Sequence, residues 1–136
     1  MPRILLIDAD EVRRARARHA LGAIDRCEVD EAPTHLDAIR LAARGRPDLI
    51  VLAADGDARP VFLDALRALA PGARVLVMGR VGGEAAALLW LSRGACDLLS
   101  DMRHLELELA ERARPLLALS GDALAPRLAP LPPIDA

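Results

Sequence analysis

Carboxylates gather where a nucleotide-binding chain would carry glycines. Asp8, Asp10 and Glu11 follow the apolar run Ile4-Leu5-Leu6-Ile7, giving Asp8-Ala9-Asp10-Glu11 in place of a Gly-rich phosphate loop. Such a turn repels phosphate, which argues against a nucleotide binder or an enzyme that cradles a phosphate. The same acids suit helix N-caps, where a side-chain oxygen accepts a backbone N–H; Asp10 before the first helix and Ser100 or Asp101 before the last are read in that way. Cys27 and Cys96 lie far apart without metal-ligand spacing and are expected to be buried thiols in a reducing compartment. His19, His35 and His104 are scattered, and His104 and Cys96 are read as structural or solvent residues. All 18 basic residues are arginines, so no lysine is present to serve as a catalytic ammonium. No enzymatic activity is expected.

The 136 residues fit one domain with one shared core. With 53% hydrophobic and 28% charged residues, the chain is balanced like a globular protein. A net charge of −2 argues against a general nucleic-acid or acidic-membrane binder. The longest apolar runs fall far short of the roughly 20 residues of a membrane span. Met1-Pro2-Arg3 opens no signal-peptide pattern, so a cytoplasmic location is expected.

Short β-like runs alternate with helical ones. Ile4–Ile7, Cys27–Val29, Leu49–Leu52, Val75–Met78 and Asp97–Leu99 are the predicted strands, the third carrying the strongest signal. Helices are predicted over 11–23, 34–44, 61–70, 84–93 and 102–114. Ala17, Ala20, Leu21 and Ile24 carry the apolar side of the first; Leu36, Ile39, Leu41 and Ala43 that of the second, which Gly45 closes. Leu105, Leu109 and Ala113 mark the last, which Pro115 should end or kink. Arg13, Arg14, Arg16 and Arg18 crowd the first helix and read as a solvated face. Five βα units imply a parallel sheet with helices on both faces. The domain is placed at 1–118, and 119–136, with four prolines from Pro126 to Pro133, reads as a flexible tail or linker.

The five alternations, the acids ending strand 1, Pro47-Asp48 before strand 3, and Gly94-Ala95-Cys96-Asp97-Leu98-Leu99 together resemble the receiver domain of bacterial response regulators. The last segment looks like that family's G-A-D-D-Y-L. The resemblance covers about residues 2–118 and implies a flavodoxin-like doubly wound (βα)5 fold with strand order 2-1-3-4-5. It also implies a site at which carboxylates hold Mg²⁺ and a strand-3 aspartate accepts a phosphoryl group from a histidine kinase, assisted by a Ser/Thr after strand 4 and a Lys after strand 5.

This chain departs from that pattern at nearly every position. Asp8 keeps the first acid, but Ala9 stands where the second metal-binding acid belongs. The acceptor position falls on Ala53, the Ser/Thr position on Gly79 and the Lys position on Asp101, followed by Met102 where proline is usual. The aromatic switch position is Leu98. Alanine offers no nucleophile, and a carboxylate replacing the lysine repels a phosphoryl group by about 4 kcal/mol at ~4 Å and an effective dielectric of ~20. Asp8, Asp10 and Asp55, with Asp101 as an extra acid, are the residues to which a residual cation would fall, yet no metal or other cofactor is expected.

The implied function is therefore a phosphorylation-independent pseudo-receiver, a protein-interaction or dimerisation module in bacterial signal transduction. It would work through helix 4, strand 5 and helix 5, binding a protein partner or a second copy, with no membrane role and no nucleic-acid binding of its own. Trp90, Arg93, Asp97, Leu98, Met102, Glu108 and Arg112 are the candidate interface residues. Two alternatives are a phosphoacceptor regulator using a displaced Asp55 with Mg²⁺, and a regulatory fragment whose effector domain lies beyond Ala136.

Overall fold

The computed structural model of the chain describes residues 1–54 and 59–119. Five strands alternate with five helices: β1 (Arg3–Ile7), α1 (Glu11–Gly22), β2 (Glu28–Ala32), α2 (His35–Gly45), β3 (Leu49–Ala53), α3 (Pro60–Leu69), β4 (Arg74–Met78), α4 (Glu84–Ser92), β5 (Asp97–Leu99) and α5 (Leu105–Ala118). All strand pairs are parallel, in the order β2-β1-β3-β4-β5. The expected doubly wound architecture and strand order are thus observed. Asp55 and the tail from residue 120 onward lie outside the described residues.

Parallel pairing forces helices onto both sheet faces, and the strands' side chains alternate between two cores. Ile4, Leu6, Leu49, Val51, Ala53, Leu76, Met78 and Leu99 face α1 and α5, where Ala17, Ala20, Leu21, Leu105, Leu109 and Ala113 meet them. Leu5, Ile7, Ile50, Leu52, Val75 and Val77 face α2, α3 and α4. On α2 the buried residues are Ala38 and Ala42, whereas Leu36 is exposed and Ile39 and Leu41 only pack from the side. Small residues there let the helix backbone approach the sheet, so the apolar stripe is rotated from the one the leucines suggested.

Further differences from the sequence reading have local causes. β2 runs to Ala32 although its residues are Glu-Val-Asp-Glu-Ala, because an edge strand paired only with β1 leaves polar side chains in water. Arg46, not Gly45, takes the left-handed conformation that ends α2 (φ 46°). α5 begins at Leu105 with His104 at its N-cap, and neither Ser100 nor Asp101 caps it. Asp101 is instead engaged by the backbone N–H of Arg103 at 3.0 Å, which folds the preceding segment into a turn. α5 also continues through Pro115, which is exposed, to bury Leu117 and half-bury Leu116 against the sheet. That apolar burial offsets the hydrogen bond proline cannot donate. Cys96 is exposed and Cys27 half-buried, contrary to the expected pair of buried thiols; partial burial pushes the Cys27 thiol up.

At the turn into β5, Gly94 has φ 112° and a guanidinium beneath it: a Cβ there would lie 2.5 Å from Arg67 Nη1. Arg67 donates to the carbonyl of Arg93 at 3.0 Å and so ties α3 to the end of α4. Trp90, expected among the interface candidates, is only 3% exposed and belongs to the core between α4 and the sheet. Its indole fills the space that the alanines of α4 leave, so an exposed indole is not offered to a partner. Trp90→Ala should cost about 3–5 kcal/mol of stability in denaturant unfolding. As the chain's one tryptophan, Trp90 should also show blue-shifted emission that resists acrylamide quenching.

Candidate functional site: a carboxylate closed by arginine

The carboxyl ends of β1, β3 and β4 bring the expected pocket residues to one edge. Ile7 pairs with Leu52 and Ala53 with Met78, so Asp8, Ala53 and Gly79 stand at or one step past the same level. Backbone bonds fix them: the Asp8 N–H donates to Ala32 O at 3.1 Å, Ala54 N–H to Met78 O at 2.7 Å, and Gly79 N–H to Leu99 O at 3.0 Å. The sheet register therefore assembles the pocket, and the side chains decide its chemistry.

Asp8 is the only buried charged residue among the described residues, 2% exposed. Burying a carboxylate requires a matched cation and hydrogen bonds. Arg13, in the first turn of α1, supplies both: its Nε lies 2.5 Å from Asp8 Oδ2 and its Nη2 2.7 Å from Oδ1. This is the two-pronged geometry in which guanidinium and carboxylate are best matched. Asp8 Oδ1 also accepts the Asp10 N–H at 2.9 Å, and Arg14 Nη1 donates to the Asp8 carbonyl at 3.0 Å. The carboxylate thus turns both oxygens toward protein donors.

The other acids are committed as well. Asp10 caps α1 by accepting the Arg13 N–H at 3.0 Å, which holds its carboxyl below the usual range. Asp101, beyond β5, is clasped by the Arg103 guanidinium at 2.7 Å and also lies well below the usual carboxylate range. Ala9 is exposed and Ala53 buried, and neither offers an oxygen. Gly79 sits at φ 104°, a backbone conformation in which a serine or threonine would be strained. Among the described residues no group of three or more His, Cys, Asp or Glu is placed to hold a metal ion. The described donors do not fit Mg²⁺: the one buried carboxylate already holds a cation, and its neighbours are engaged or lack oxygens.

The arginines of α1 are not a plain solvated face. Besides Arg13, Arg14 pairs with Glu31 at 3.2 Å, Arg18 with Glu31 at 2.9 Å, and Arg16 with Glu106 at 2.7 Å. They tie α1 to β2 on one side and to α5 on the other. The contact of Arg13 with Asp8 is what the sequence reading missed. The signal for it was an acid at the end of a central strand in a chain without lysine, which leaves arginine as the only strong cation to neutralise it.

On the side of α4, β5 and α5, the structure gives three of the remaining interface candidates, Arg93, Asp97 and Arg112, side-chain partners within the chain. Arg93, at the end of α4, pairs with Asp64 of α3. Arg112 reaches from α5 to Asp97 at 2.8 Å and to the carbonyl of Leu98 at 3.1 Å, clamping β5. Leu98 and Met102 are half-buried against the two cores, and Glu108 is half-buried in the first turn of α5.

The fold is that of response-regulator receiver domains. The chain superposes on a CheY-like receiver domain protein from Methanospirillum hungatei with TM-score 0.76 and 18% identity, covering 87% of this chain and 94% of that one. A two-component response regulator from Clostridium difficile gives TM-score 0.75 and 23% identity over 87% and 97% of the two chains. A Burkholderia pseudomallei response regulator, solved with a phosphorylated aspartic acid and a calcium ion, gives TM-score 0.70 and 24% identity over 88% and 74%. No protein-family model and no curated protein matches the sequence. Among the described residues, no helix is long and apolar enough to cross a membrane.

Arg13→Ala leaves the Asp8 carboxylate without its cation, and urea unfolding at neutral pH should show a loss of about 3–5 kcal/mol. Millimolar Mg²⁺ should recover part of that loss in the variant while leaving the parent chain unmoved. The Arg16 pair sets a separate pH effect. Glu106 is held at about 2 against a reference of 4.5, chiefly by its hydrogen bonds from Arg16. A depressed carboxyl stabilises the fold above its unfolded value and loses that contribution as pH falls. The Tm difference between the parent chain and Glu106→Gln should be largest at neutral pH and close between about 4.5 and 2.

Proposed function

We propose that the chain is a pseudo-receiver: a receiver-fold module of bacterial signal transduction that acts by binding protein, without phosphorylation. The observation that carries this reading is the Asp8–Arg13 pair, which gives the buried acid an internal cation. Phosphoryl transfer to an aspartate rests on positioning and charge neutralisation by a metal. Here alanine stands at the acceptor position, and Asp101 places a carboxylate where neutralising positive charge would be needed. A phosphoryl group brought to such a site would find no nucleophile to receive it.

Without that modification, the population shift it would drive in a switching receiver is absent. Activity then follows from partner binding and concentration, on a surface of α4, β5 and α5 in a cytoplasmic module. The supporting surface feature is the exposed apolar side of α4, with Leu88, Leu89 and Leu91 facing water. The domain would extend over 1–118, with 119–136 as tail or linker.

Incubation with acetyl phosphate and Mg²⁺, followed by intact-mass measurement, should show no added phosphoryl group. Sedimentation should be unchanged by the same treatment. An adduct mapped to Asp55 would overturn this reading in favour of a displaced acceptor.

A further inference from the structure

β2 ends the sheet, and among the described residues no strand pairs with its outer edge. In a parallel ladder, alternate residues turn both backbone groups to the same neighbour. Glu28 donates its N–H to Pro2 O at 2.9 Å and Ala32 O accepts from Asp8 at 3.1 Å, so Val29 and Glu31 present their backbone groups outward. Two different surfaces flank this edge. On the α1 side lies a trough of about 540 Å³ lined by Ala15, Arg18, His19, Gly22, Ala23 and Glu31. On the α2 side, Glu28 and Asp30 share one guanidinium, that of Arg3, at 3.8 and 3.4 Å. An edge of this kind can take up an extended segment through backbone hydrogen bonds.

We propose that residues 127–131 of this chain add to that edge as a further parallel strand, with Arg127 level with Glu28. The inference goes beyond the interaction-module reading and does not depend on it. The segment reads Arg127-Leu128-Ala129-Pro130-Leu131 and is followed by Pro132-Pro133. In this register Arg127, Ala129 and Leu131 turn their backbone groups to Val29 and Glu31, while Leu128, Pro130 and Pro132 turn theirs to water. Proline suits an edge strand only where its missing N–H faces away from the ladder, and Pro130 and Pro132 both fall there. Pro133 is the first proline facing the other way, and it comes level with Thr34, past the end of β2 at Ala32.

Side chains follow the same alternation. Leu128 comes level with Val29 on the α1 side, where the small residues Gly22 and Ala23 leave room in the trough. Arg127 brings a second guanidinium to the two acids that share Arg3, and opposite charges on neighbouring strands attract. The same acids disfavour a second copy at this edge, since β2 against β2 sets acid against acid. The path is open as well. α5 runs back to the edge of the sheet where the strands begin, and the eight steps from Leu119 to Arg127 span up to about 27 Å. That is enough to pass the end of α1, a helix ~10–12 Å across. α5 lies on the α1 face, so a step from β5 over that face to the far side of β2 has the same right hand as β1–α1–β2.

Amide hydrogen exchange of the full chain, read by NMR, tests the proposal. Val29 and Glu31 should exchange at least about tenfold more slowly than in Ala129→Pro, which removes a ladder N–H. Pro130→Ala gains an N–H that faces water and should leave this protection unchanged. Arg127→Glu sets a carboxylate against Glu28 and should lower the protection about threefold. Dilution should not change it. Equal exchange in the parent chain and Ala129→Pro would overturn the proposal, as would an equal loss in Pro130→Ala. Protection lost on dilution would place the segment on a second copy and overturn it too.

Discussion

A carboxylate at the buried end of a central strand must be given a positive partner, and the site depends on which one it gets. In this chain Asp8 gets the guanidinium of Arg13, delivered five residues later by the first turn of α1. Removing two charges from water is costly, and only close geometry with satisfied hydrogen bonds offsets it. The two-pronged contact, the Asp10 N–H and the fixed strand end meet that requirement. The same contact takes up both oxygens that a divalent cation would need. One interaction thus fixes α1 against the sheet and decides the chemistry of the pocket.

The rest of the edge is consistent with a pocket built for stability. Alanine at 53 extends the apolar surface facing α1 and α5 up to the strand end. Asp101 and Arg103 satisfy each other in the turn before α5. The α1 arginines convert what would be loose surface charge into ties between α1, β2 and α5. Exposed pairs of this kind contribute little singly, so their effect is chiefly to fix helix placement. Exposed apolar side chains lie elsewhere, among them the outward leucines of α4.

The architecture was legible in the sequence because parallel strands buried on both faces must be continuous apolar runs, as Ile4–Ile7, Leu49–Leu52 and Val75–Met78 are. Strand β2 was shortened in that reading because its polar residues carry no such signal, and its pairing with β1 supplies what the composition lacks. Trp90 could not be assigned from spacing alone on a helix without a polar side; the sheet beneath decides it. The substituted positions of the pocket, Ala9, Ala53 and Gly79, were read directly, since a missing functional group shows in one dimension. Arg13 was not, because among four arginines within six positions only the path of α1 selects the one that reaches Asp8.

The Arg13 guanidinium is the permanent cation of this pocket. The most direct measurement is the side-chain Nε–H resonance of Arg13 by ¹⁵N–¹H NMR, assigned by its loss in Arg13→Lys and followed during a Mg²⁺ titration. A downfield-shifted signal, protected from exchange with water and unmoved by millimolar Mg²⁺, is the predicted result. A signal at the position of a free arginine, or one displaced as Mg²⁺ enters, would contradict the account.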